Sequence, residues 1–284
     1  MAAPGGPVVV PVPEAPAVSV PAQPAGPVEP VEPPAPVVRP SVRQELLGRQ
    51  IEEQIAGRFP VGQRLRVLDA GTGDGVQALR LARAGHHVTA LEQDPGALEG
   101  VRASLAAEPD GIRERVRLVE GDGRDTGAHF LPGSFDVVLC HGLLSGARDP
   151  DAHLAGLARV LAPGGLLSLV VRNTGAAAMR PGLAGDWHGV LAAFEAPEGE
   201  RGARSGLDAL TASLAGIGAP LQEWYGVGVF TDASDGAAPQ VPAQGGADTA
   251  RRRELLLSAE ERAGRTDPYR TVAGLLHLCG VRGG

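Results

Sequence analysis

The stretch VLDAGTGDG, Val67 to Gly75, sets one carboxylate, Asp69, directly ahead of glycines at 71, 73 and 75. Gly71 and Gly73 permit a tight turn and close approach of a ligand to bare backbone, and Gly75 lets the following helix lie near the sheet. The spacing departs from the dinucleotide fingerprint G-x-G-x-x-G, whose third glycine falls where this chain has Val76. Asp69 would also repel a pyrophosphate, whereas an acidic strand end suits an ammonium group on a nucleoside that carries no phosphate. Glu92, twenty-three residues further on, is placed to accept both hydroxyls of a ribose, with Gln93 beside it for one face of a base. In EGDGRD, Asp122 is a candidate acceptor for an exocyclic amino group, and Gly123 or Arg124 a candidate backbone donor to a ring nitrogen. His141, at the end of a fourth apolar run, is placed to line the bound ligand itself and is also a candidate general base.

These residues need a framework that brings strand ends together. Leu65 to Ala70, His87 to Leu91, Val116 to Val119, Phe135 to Cys140 and Leu166 to Val171 read as short, nearly all-apolar strands. Helical segments alternate with them: VQALRLARAG closing at Gly85, Ala97 to Ala107 with Asp94 as cap and Pro95 at its first position, and Asp151 to Leu161 ahead of Pro163-Gly164-Gly165. This alternation predicts a parallel sheet covered on both faces, with ligands bound beyond the carboxyl ends of the strands. Val42 to Ala56 reads as an amphipathic helix on the edge of the domain. Residues 173 to 205 read as a lid-like insertion carrying Trp187, His188 and Phe194, and 232 to 250 as a flexible loop. Leu207 to Ala215 and Arg251 to Ala263 are further helices, and Leu221 to Phe230 and Thr271 to Cys279 the last two strands, seven in all.

Thirteen of the first forty residues are proline, so 1 to 40 is expected to be a disordered tail and 41 to 284 one folded domain. The formal charge of -7 argues against broad nucleic-acid binding, and no DNA partner is expected, while one RNA could still be met by a local patch. Arg251 to Arg253 is the adjacent basic run, read first as a solvated helix start. Cys140 and Cys279 sit in apolar strands and read as small buried hydrophobes rather than metal ligands or a disulfide, and no metal site is expected. Neither a signal peptide nor a membrane span is legible, which makes the cytoplasm the expected location. The chain has no G-x-x-x-x-G-K-[ST] loop for nucleotide hydrolysis.

VLDAGTGDG, Glu92, GDGRD and LARVLAPGGLLSLVVRN together resemble the class I S-adenosylmethionine-dependent methyltransferases over roughly residues 65 to 173. The charge argument made for Asp69 favours the same sulfonium cofactor. The resemblance implies a Rossmann-like, doubly wound α/β sheet of order 3-2-1-4-5-7-6 with strand 7 antiparallel and helices on both faces. A narrower similarity, carried by VRQELL, HGLLSGARDP, RNTGAAAMRPGLAGDWHGV, GVGVFTD and ERAGRTDPYRTVAGLLHL, is to the bacterial tRNA methyltransferases that esterify 5-carboxymethoxyuridine. It implies that Arg43 reaches the cofactor's carboxylate. Ser145-Gly146 stands where that family has Glu-Trp, and Arg172 where it has tyrosine, both on the substrate side.

Methyl transfer from a sulfonium asks chiefly for alignment of donor and acceptor. A carboxylate acceptor needs no base and would be positioned by Arg172, Arg180 or His188; a hydroxyl acceptor would need His141 or another base. Three readings follow from the sequence: methylation of a small-molecule O or N acceptor, esterification of the tRNA carboxylate, and a non-catalytic scaffold that keeps the cofactor pocket. In the third reading the proline-rich tail would dock an aromatic groove on a partner.

Overall fold

Strand β1 (Arg66–Ala70) lies in the interior of the sheet, paired on both sides, and its residues alternate between two apolar layers. Leu68 and Ala70 belong to the core on one face and Val67 to the core on the other, and all three are fully buried. The computed structural model describes residues 40 to 196, 206 to 231 and 247 to 283, without the side chains of 145, 146 and 247. The expected tail therefore lies outside the described residues except for Pro40, as do 197 to 205 of the expected insertion and 232 to 246 of the expected loop.

The seven strands are β1, β2 (His87–Glu92), β3 (Val116–Glu120), β4 (Phe135–His141), β5 (Leu161–Arg172), β6 (Leu221–Val227) and β7 (Leu275–Val281). They stand in the order β3-β2-β1-β4-β5-β7-β6. β1 to β5 pair in parallel, and β7 runs antiparallel to both β5 and β6. This is the seven-stranded order implied by the family resemblance, with the parallel pairing of β1 to β5 that the alternating pattern predicts.

Ten helices fill out the described residues: α1 (Val42–Arg58), α2 (Val76–Arg83), α3 (Pro95–Ala106), α4 (Asp110–Arg113), α5 (Thr126–His129), α6 (Pro150–Val160), α7 (Met179–Leu183), α8 (Trp187–Glu195), α9 (Leu207–Gly216) and α10 (Ala247–Ala263). Ile51 of α1 and Ala78 and Leu81 of α2 pack on one face of the sheet, and Leu154 and Leu157 of α6 and Leu210 and Leu214 of α9 on the other. Each such leucine contributes roughly 1.5–3 kcal/mol by leaving water.

Several boundaries differ from the sequence reading. β5 begins at Leu161, opposite Phe135, and the Ala162–Gly165 stretch bulges out before pairing resumes at Val137 and Leu166, so Pro163-Gly164-Gly165 lies within the strand's span instead of preceding it. The last strand starts at Leu275, because Tyr269–Val272 forms a 3-10 turn. β6 stops at Val227, where Gly228 takes φ +74. Residues 247 to 250 are the first turn of α10 and not part of a loop.

Candidate active site

The carboxyl ends of β1, β2, β3 and β4 bring Asp69, Glu92, Asp122 and His141 to one edge of the sheet. Asp69 is buried, and Thr72 Oγ1 donates to its Oδ2 at 2.8 Å. Burial pushes its carboxyl up to about 6; the Thr72 hydrogen bond opposes this, and the nearby Asp74 and Glu92 carboxylates add to it. A carboxylate held in this way is short of a cation, and an ammonium group arriving beside it would supply one.

The turn after Asp69 is made by glycines in the left-handed region, with Gly71 at φ +71 and Gly73 at φ +56. A side chain at Gly71 would begin 2.7 Å from Leu143 Cδ1, and one at Gly123 would meet the same Leu143 atom at 2.7 Å and Gly71 N at 3.0 Å. The two glycines thus let the β1 turn, the β3 loop and Leu143 close on one another. The Gly71 N–H donates to Leu91 O at 2.8 Å, so any contact Gly71 makes to a ligand comes through its carbonyl or bare Cα. Gly71→Ala is expected to destabilise the fold by about 1–3 kcal/mol through the positive φ and the Leu143 clash. The same substitution should abolish binding of S-adenosylhomocysteine, as read by calorimetry beside a thermal melt.

Glu92 faces this turn across the strand gap. Its Oε2 accepts from Gly73 N–H at 2.9 Å, and its Oε1 from Gln93 N–H at 2.8 Å and Asp94 N–H at 3.0 Å. The carboxylate is fixed by three backbone donors, and further lone pairs remain for ribose hydroxyls. Gln93 itself is exposed. Asp122 caps the short turn Gly123–Asp125 by accepting from Arg124 N–H at 2.9 Å, which commits that backbone donor inside the loop.

The start of α1 sits at the glycine turn. Ser41 and Gln44 form a capping box, Gln44 Nε2 also donates to Asp74 Oδ2, and Gln77 Nε2 donates to Gln44 O at 2.8 Å. Arg43 is carried by this first turn, close enough to His141 for its guanidinium to disfavour a second positive charge there.

His141 is half-buried at the end of β4. Its Nε2 lies 2.9 Å from Ser168 Oγ on β5, Ser168 Oγ lies 2.8 Å from His277 Nε2 on β7, and His277 Nδ1 lies 2.7 Å from Gln50 Oε1 on α1. Burial, then His277, then Arg43 hold His141 well below its ordinary value, and burial pushes His277 down to about 3. Ser168, His277 and Gln50 were not singled out by sequence reasoning. The available signal was a lone histidine inside the apolar strand LLHLCG, which has to find a buried partner.

The substrate-side candidates do not converge. Arg172 is exposed at the end of β5, and His188 is exposed on α8. Arg180, on α7, donates through Nη2 to Thr231 O. Trp187 and Phe194 are each 69% exposed, so neither anchors this segment onto the sheet. Asn173, after β5, ties Nδ2 to Thr271 O and Ala273 O, both at 2.9 Å. Cys140 and Cys279 are buried and unbridged, and burial pushes the Cys140 thiol up to about 12, which excludes it as a thiolate nucleophile at neutral pH. Among the described residues no cluster of His, Cys, Asp and Glu could hold a metal, and no helix is long and apolar enough to cross a membrane.

Residues 68–169 match the family described as "Methyltransferase domain". The tRNA 5-carboxymethoxyuridine methyltransferase of Escherichia coli (strain K12) is 34% identical over 151 residues, 53% of this chain and 56% of that protein. The ubiquinone biosynthesis O-methyltransferase of Xanthomonas euvesicatoria pv. vesicatoria is 37% identical over 108 residues, 38% of this chain and 43% of that protein. The chain thus spans about half the length of the curated relatives it matches. Among solved structures, the [4+2]-cyclase SpnF shares the fold at 19% identity with a TM-score of 0.51 over 82% of this chain and 81% of that one. The carbon methyltransferase CurJ shares it at 12% identity with a TM-score of 0.51, over 85% of this chain and 54% of that one.

Proposed function

We propose that this chain, whose residues 68–169 match a methyltransferase domain, is a class I S-adenosylmethionine-dependent methyltransferase that transfers methyl groups to a small-molecule acceptor through an O–H or N–H group. The observation that carries the reading is His141 at the end of β4. The ring is held neutral, its Nε2 is engaged by Ser168, and Nδ1 has no hydrogen-bond partner among the described residues. A neutral imidazole beside the transfer point is useful only to an acceptor that has a proton to lose.

The donor, when bound, supplies an electrophilic methyl group on a sulfonium. The buried donor-poor carboxylate of Asp69 fits an ammonium group, and Glu92 fits a ribose diol. Asp122 fits an adenine amino group, with Gly71 and Gly123 letting the β1 turn, the β3 loop and Leu143 close on one another beside it. Gly73 and Gln93 complete the nucleoside's surroundings, and Arg43 on α1 is our candidate for the carboxylate of the methionine part. His141 takes the acceptor's proton, and Arg172 is assigned to substrate positioning. The folded domain is taken as 41–284, acting in the cytoplasm.

A second reading, esterification of the 5-carboxymethoxyuridine carboxylate in tRNA, is favoured by the similarity to the E. coli enzyme over 151 residues. It leaves the neutral base without a task. The two separate when the protein is incubated with methyl-labelled S-adenosylmethionine and either total bacterial RNA or a small-molecule extract. Label confined to small molecules is expected. Label in RNA that is lost on alkaline ester hydrolysis would overturn the first reading in favour of the second.

A further inference from the structure

The chain of contacts behind His141 fixes more than its place. Gln50 is almost fully buried on α1, and its Oε1, an acceptor, faces His277 Nδ1 at 2.7 Å, so His277 donates there. His277 is fully buried and neutral, and its Nε2 therefore keeps a lone pair that accepts from the Ser168 hydroxyl at 2.8 Å. With its one proton committed to His277, Ser168 Oγ can only accept from His141, across 2.9 Å. His141 then carries its proton on Nε2 and its lone pair on Nδ1. The Cys279 thiol also lies 3.5 Å from His277 Nε2, a longer and weaker contact than the Ser168 hydroxyl, so the direction of the chain is set at Gln50.

We propose that Ser168 is a positioning residue for methyl transfer, and that Gln50, His277 and Ser168 together select the His141 tautomer whose Nδ1 accepts a proton from the methyl acceptor. This rests on the reading of His141 as the base. In the transfer the acceptor's bond to the methyl carbon forms as the carbon–sulfur bond breaks, with that bond's electron pair passing to sulfur. The acceptor's proton moves to Nδ1, and the imidazolium later releases it to water. Ser168 holds Nε2–H throughout, and His277 is too weak a base to draw the proton inward, so the chain orients the ring and does not carry the proton. The contact is built across three strands: Ser168 on β5 pairs with Leu139 of β4 and with Cys279 of β7, two residues from His277. Tyr225 packs its ring on His277, with centroids 5.6 Å apart, which keeps the far end of the chain in place.

Nitrogen-15 NMR of the whole protein labelled at histidine reads the tautomer directly, with His141 assigned by difference from His141→Gln. The expected result is Nε2–H for His141 and Nδ1–H for His277 in the wild type. Ser168→Ala should replace the single His141 form with a mixture, and Ser168→Thr, which keeps the hydroxyl, should restore Nε2–H. With the fraction that takes label from S-adenosylmethionine, Ser168→Ala should lower turnover about tenfold while the calorimetric affinity for S-adenosylhomocysteine stays unchanged. An Nδ1–H tautomer for His141 in the wild type overturns the proposal whether or not the Ser168 variants fold, and so does a Ser168→Ala protein with unaltered His141 signals. The tautomer is read without donor or acceptor, so it fails or stands separately from the reading of the chain as a transferase, which the label experiment tests.

Discussion

Asp69→Asn should make the cofactor-free protein more stable and the cofactor much weaker. The Asp69 carboxyl is lifted from its ordinary 3.8 to about 6, chiefly by burial. Between those two values the folded protein holds the proton more tightly than the unfolded chain, so stability falls as pH rises through that window. Above about pH 6 the buried charge costs about 3 kcal/mol. Asparagine keeps an acceptor for the Thr72 hydroxyl at 2.8 Å and carries no charge. At pH 7 we expect the melting temperature to rise by several degrees, at roughly 2–4 °C per kcal/mol for a domain of this size. Calorimetric affinity for S-adenosylhomocysteine should fall between about tenfold and a hundredfold, since a charge-assisted hydrogen bond contributes about 1.5–3 kcal/mol. In the wild type, affinity should also weaken as pH is lowered through about 6. A variant that melts earlier and still binds would refute the assignment of Asp69 to the ammonium group. A protein that kept its biological role after this loss of binding would instead be acting as a scaffold.

Glu260→Ala is the second large effect, and it falls on stability. Glu260 is almost fully buried on α10, and its carboxylate gathers the whole turn after β6. Val229 N–H donates to Oε2 at 2.8 Å, while Phe230 N–H at 2.9 Å, Thr231 N–H at 2.7 Å and Thr231 Oγ1 at 2.7 Å donate to Oε1. Alanine would leave four donors facing a void. A single buried unsatisfied group costs about 1–3 kcal/mol, and partial access of water to the relaxed turn reduces the sum, so about 3–5 kcal/mol is expected from urea denaturation. Hydrogen exchange at Val229, Phe230 and Thr231 should accelerate well beyond that of the β7 amides. Arg180 of α7 also rests on Thr231 O, so the loosened turn releases a contact to the segment that holds Trp187 and His188. Equal acceleration across the sheet would mean that Glu260 supports the domain at large and not this turn.

What the sequence made legible was whatever the chain states locally. The glycines at 71, 73 and 75, the carboxylates at 69 and 92 and the alternation of apolar runs with capped helices lie within a few residues of the structure they specify, while the strand order was legible only through the family resemblance. Edges were misplaced where pairing, not propensity, decides. Leu161 joins β5 because Phe135 lies opposite, and residues 271 to 274 resemble the strand beside them but complete a turn held by Asn173. The groups behind His141 were illegible because their meaning is tertiary. Gln50 reads as one more polar residue of an amphipathic helix until His277, 227 positions later, is placed beside it. Glu260 likewise sits in SAEERAG, which reads as a solvated face, and only the fold turns it inward.

β7 is the last strand in the chain, and it is inserted between β5 and β6. On the ribosome β1 to β4 emerge first and can fold early, while β5 keeps a bare edge until β7 has been made. The imidazole that would accept the proton is built at position 141, but the group that settles which of its nitrogens bears hydrogen arrives only with His277. A nascent chain could therefore hold the donor before it could use it, and with the proposed role of His141 competence would come in one step, when β7 takes its place.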